Sequence, residues 1–102
     1  MADRWYRSHR RFSFVAKLCI EQYDEGKQIP ESVFSKLIKS LYCHSKAEEK
    51  MFGLPAHIAD EHSNIRPDKT YTNEEKYTFC KELLIHMKEE EAYVKSIGVL
   101  VS

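Results

Sequence analysis

The chain has 102 residues, 42% of them hydrophobic and 31% charged, with Lys+Arg and Asp+Glu equal at 16 each. That length holds one small domain, residues 1–102, and the zero net charge gives no electrostatic pull toward nucleic acid or an anionic membrane surface. No charge-free run approaches the roughly 20 residues that cross a bilayer. The charged N-terminus, Met1 to Arg7, lacks the apolar centre of a signal peptide.

The spacing predicts a first helix over about residues 4 to 24. Trp5, His9, Phe12, Ala16, Cys19 and Tyr23 recur at steps of three and four, the signature of one buried seam. Arg4, Arg7, Arg10 and Arg11 then fall on its outer face. Gly26 ends this helix and Pro30 opens the next element. A second helix is expected over residues 31 to 52, with Phe34, Leu37, Leu41, His44, Glu48 and Met51 as its seam and Gly53 as its stop.

A short third helix is expected after Pro55, where Ile58, His62 and Ile65 share a face. Arg66-Pro67 ends it, because the residue before proline resists the α region. Thr72 or Asn73 is the expected N-cap of a fourth helix, with Glu74 and Glu75 in its first turn. That helix runs to about Ser96 along Phe79 or Cys80, Leu83, His86, Glu90, Tyr93 or Val94, and Ile97. Alternating β-branched segments are absent, so the expected fold is all-α. Four helices on short loops predict an up-down-up-down four-helix bundle.

Cys19, Cys43 and Cys80 are odd in number and far apart, and no Cys-x-x-Cys occurs. A disulfide framework and a structural zinc site are therefore not expected. The three read as small buried hydrophobes in a reducing, cytoplasmic setting.

Four of the five histidines fall on inward seams, and two are followed one turn later by a glutamate: His44 by Glu48 and His86 by Glu90. Taken singly, each pair reads as an ordinary surface i,i+4 contact. Their place on two different apolar seams favours a metal centre instead, because unpaired polar groups are costly to bury. His9, His44, Glu48, His62, His86 and Glu90 are the expected metal ligands, four imidazoles and two carboxylates. One ion rarely takes six side chains. Two ions about 3.5 Å apart, with both glutamates bridging and a shared oxo or hydroxo group, would use them all. The Glu-x-x-His motif of ferritin-like carboxylate sites and the His-Glu-x-x-His of metalloproteases are both absent. A nitrogen-rich centre without an evident substrate cavity suits reversible binding of dioxygen, and the first expectation is a binding protein rather than an enzyme.

These residues resemble the hemerythrin and hemerythrin-like (HHE) domain family. His44-Ser-Lys-Ala-Glu48-Glu49-Lys50-Met51 is similar to the family's second-helix motif, and the stretch from Phe79 to Lys88 to its fourth-helix segment. His9 and His62 stand where first- and third-helix ligands would. The run from His86 to Glu91 is also similar to the iron- and oxygen-sensing domain of an F-box ubiquitin-ligase subunit. The resemblance spans residues 5 to 98 and implies two iron ions that bind dioxygen, for carriage, storage or sensing. Its alternatives are a regulatory sensor with a protein partner, or a di-iron enzyme acting on peroxide or nitric oxide. Two departures stand out. The family's third-helix pair is His-x-x-x-His, whereas His57 and His62 are five apart, a turn of about 140° on an ideal helix; His57 stays an extra candidate only. The family's last carboxylate falls five residues after the fourth-helix histidine, at Glu91, while the seam favours Glu90.

Overall fold

The computed structural model describes residues 2–52 and 65–96. They form three helices: α1 (Ala2–Asp24), α2 (Glu31–Phe52) and α3 (Asn73–Ser96). There is no strand among the described residues, in keeping with the all-α class. The expected four-helix bundle is corrected: the described helices number three, and three cannot make that architecture. The stretch after Pro55 contributes no described helix. Ile65, from the expected third seam, is buried but lies outside any helix. It precedes a turn in which the Lys69 N–H donates to the Arg66 carbonyl at 3.2 Å, with Pro67 setting the backbone. Ile58, His57 and His62 lie outside the described residues.

The helix ends follow local chemistry. At the end of α1, the Lys27 N–H donates to the Gln22 carbonyl and the Gly26 N–H to the Tyr23 carbonyl, both at 2.9 Å. This is a Schellman motif, and Gly26 takes the left-handed φ of +79° that it requires. At the start of α3, Thr72 and Glu75 form a reciprocal capping box. The Thr72 N–H donates to Glu75 Oε1 at 3.0 Å, and the Glu75 N–H donates to Thr72 Oγ1 at 3.1 Å. Asn73 Oδ1 accepts from the Ile29 N–H at 2.7 Å, tying the loop before α2 to the head of α3.

α1 packs chiefly along α3 and less closely against α2. His9 near the start of α1 meets Glu48 and Glu90 near the ends of α2 and α3. Tyr23 at the end of α1 stacks on Tyr77 at the start of α3, ring centroids 4.1 Å apart. So α1 runs antiparallel to both other helices. The core holds Phe12, Ala16, Cys19, Phe34, Leu37, Ile38, Leu41, Cys80, Leu83 and Met87, which includes most of the apolar positions on the three seams. Phe34, Tyr71 and Phe79 close the far end edge to face, at 5.0 to 5.9 Å. Two apolar expectations change. Cys43 is exposed, and Tyr23 is only half-buried. The side chains of Arg4, Trp5, Met51 and Val94 lie outside the description, while Arg7, Arg10 and Arg11 are exposed.

Candidate metal centre

Each helix delivers its polar residues to one end of the core by the same spacing that delivers its apolar ones. On α1, His9 precedes Phe12 and Ala16 on the buried stripe. On α2, His44 and Glu48 continue the line of Phe34, Leu37 and Leu41; on α3, His86 and Glu90 continue that of Cys80 and Leu83. Five of the six expected ligands thus come together, and the sixth, His62, lies outside the described residues together with His57.

His9 and Glu48 are each only 2% exposed and Glu90 is fully buried. The side chains of His44 and His86 keep 16% and 11% exposure, and so form the outer edge of the group. Glu48 reaches two rings at once: Oε1 lies 3.3 Å from His44 Nε2 and Oε2 lies 3.4 Å from His9 Nε2. Glu90 repeats the arrangement, with Oε1 2.9 Å from His86 Nε2 and Oε2 3.4 Å from His9 Nε2. His9 is the shared centre, and each carboxylate spans from it to the histidine one turn back on its own helix. The rings of His9 and His44 meet edge to face at 5.3 Å, and Phe12 packs on His44 at 5.2 Å.

Donor atoms on one ion, each about 2.1 Å from it, lie no more than roughly 4 Å apart. The approaches of Glu48 to His44 and His9, 3.3 and 3.4 Å, fall inside that range, and the ligand atoms of all three residues lie within 4.8 Å of one another. This buried group can hold a metal ion, and imidazole with carboxylate suits iron, zinc or manganese rather than a soft thiophilic ion. Leu41 and Leu83, each three residues before a histidine on its own helix, are buried, and so is Met87, which lines a groove with His9.

Of the acidic runs, Glu90 is the member of its run that turns inward, while Glu89 is exposed and Glu91 half-buried. Glu91 instead lines a groove between α1 and α3 with His9, Ser13, Phe14, Leu84 and Met87. Sequence reasoning missed Lys76, a buried cation on α3. Its ammonium donates to the Ile29 carbonyl at 3.5 Å and pairs with Glu31. Its place four residues before Cys80 on the inner stripe was the available signal.

No helix among the described residues is long and apolar enough to cross a membrane. Comparison with known protein families, with curated proteins and with solved structures finds no match.

Proposed function

We propose that the chain is a non-haem di-iron protein that binds dioxygen reversibly, with chemistry of the hemerythrin-like kind. The observation that carries this reading is the doubled reach of Glu48 and Glu90, each buried and each aimed at two imidazoles. Each glutamate presents Oε2 to His9 and Oε1 to the histidine on its own helix, a division of its two oxygens that suits bridging a pair of ions. His9, His44 and His86 supply nitrogen, and the two glutamates offset most of the charge that a pair of divalent ions brings into an apolar core. The resemblance of the His44–Met51 and Phe79–Lys88 stretches to hemerythrin-like domains supports iron as the metal.

When bound, the iron pair supplies the electrons that hold dioxygen. The chain's own residues set the conditions. The glutamates fix the separation of the imidazoles, Phe12 braces the His44 ring, and Leu41, Leu83 and Met87 keep bulk water from the inner face. A cytoplasmic, reducing setting suits the three free cysteines. The test is the absorption spectrum of the iron-loaded chain. Bands that grow in air and fade under argon, cycle after cycle, support the reading. A spectrum indifferent to oxygen contradicts it.

A sensing role is the second reading, and a specific feature favours it. Candidate donors from all three described helices converge on His9, so metal binding energy would also be folding energy. A domain that unfolds when iron is removed by chelation would report iron to a partner; one whose melting is unchanged would not.

A further inference from the structure

The groove between α1 and α3 holds about 460 Å³, within the usual range of small-ligand sites, about 300–1,000 Å³. Much of its lining is apolar. Met87 is buried, Leu84 is half-buried, and Phe14 keeps 63% exposure. The lining follows α1 from His9 to Lys17, about 12 Å at the rise of a helix. Water therefore covers an elongated apolar strip that the fold leaves open.

The same groove carries a local excess of positive charge. Arg10, Lys17 and Lys88 line it against one carboxylate, Glu91. All three cations are exposed, and none is ion-paired to a described residue. The chain as a whole is neutral, so the excess belongs to this place and not to the composition. Like charges around one concavity raise its potential and draw an anion. Because α1 and α3 are antiparallel, Glu91 stands at the His9 end and Lys17 at the other.

We infer that the α1/α3 groove binds a medium-chain carboxylate, with its hydrocarbon tail on Phe14, Leu84 and Met87 and its head among the Arg10, Lys17 and Lys88 side chains. An inorganic anion would leave the apolar strip wet, and a neutral hydrocarbon would leave three like charges facing one another. An amphipathic anion answers both features at once. The long stems of the lysines and arginine can lie along its tail while their heads stay in water. A lipid surface would need its apolar contacts on a projecting face, whereas Met87 and His9 are buried at the bottom of a concavity. The tail would lie beside His9, on the outer side of the candidate metal centre. This inference needs no metal ion and stands independently of that reading.

The test is equilibrium dialysis of the full chain against radiolabelled decanoate, below its micelle-forming concentration. Acetate and 1-octanol compete as head alone and tail alone. The expected result is saturable binding of one decanoate per chain, about tenfold tighter than either competitor or better, since each buried methylene adds to affinity. Lys17→Glu combined with Lys88→Glu should weaken it about tenfold, and Phe14→Ala about fivefold. Both variants change exposed positions, and helical circular dichroism should be unaltered. No retention of decanoate up to about 1 mM overturns the inference. So does an affinity indifferent to the two lysine replacements. Acetate competing as well as decanoate would place the carboxylate on a metal ion, and 1-octanol competing as well would remove the cations from the site; either result overturns it. Sedimentation of the chain with phosphatidylglycerol vesicles, without decanoate binding, would assign the surface to a membrane instead.

Discussion

The Nε2 atom of His9 lies 3.4 Å from Oε2 of Glu90, although the two residues come from opposite ends of the chain. His9 makes the same approach to Glu48. One imidazole thus holds two carboxylates that do not otherwise share a helix, and removing it uncouples the two halves of the site. His9→Ala should weaken iron binding by about 100-fold or more, the scale at which even supporting residues around metal ligands act. Chelator competition on the folded variant, checked by helical circular dichroism, measures it; unchanged affinity would remove His9 from the ligand set.

The two neighbouring glutamates on α3 make opposite predictions. Glu90→Gln removes the charge of a fully buried carboxylate, and iron content per chain should fall to half or less. Glu91→Gln alters a half-buried residue on the groove between α1 and α3, and iron content should stay at the level of the unaltered protein. Elemental analysis of both variants in parallel decides between the two positions.

Much of this site was legible in the sequence because a helix carries its ligands at the same spacing as its core. His44 and Glu48 sit on the line of Leu37 and Leu41, so the rule that places one places the other. The same three-and-four spacing from Leu83 and His86 favoured Glu90 over Glu91, and Glu90 is the buried one of the two. The shortfall lay where periodicity says little. Three members of one short seam, Ile58, His62 and Ile65, suggested a helix and hence a four-helix bundle, yet Ile65 is buried from an irregular segment. Burial alone satisfies an isolated apolar residue, whatever its backbone. Lys76 escaped notice because a lysine on an inner stripe reads as an error in pattern. Only the fold shows that its ammonium reaches the Ile29 carbonyl and Glu31.

Phe34 anchors the end of the core opposite the metal group, against Tyr71 and Phe79. Phe34→Ala should cost about 3–5 kcal/mol in unfolding free energy, the usual range for a buried phenylalanine. Chemical denaturation of the metal-loaded protein checks this, and a loss below about 1 kcal/mol would contradict the packing described.

The capping box at α3 gives a prediction with a pH sign. Thr72→Ala removes the hydroxyl that accepts from the Glu75 N–H and should cost about 1 kcal/mol. The Thr72 N–H, and then Lys69, hold the Glu75 carboxyl below its usual range. A lowered carboxylate stabilises the fold above its unfolded value and loses that contribution as pH falls through the folded one. The stability gap between the native chain and Glu75→Gln should therefore be present at neutral pH and close on acidification. A gap that widens toward acid would contradict the cap.

The most direct test of the central claim is the number of iron ions retained per chain. The protein is loaded anaerobically with ferrous iron, freed of excess metal, and analysed by atomic emission against amino-acid content. The account predicts a pair of ions per chain. Retention of none, or retention unaffected when His9 and Glu90 are both replaced, would contradict it.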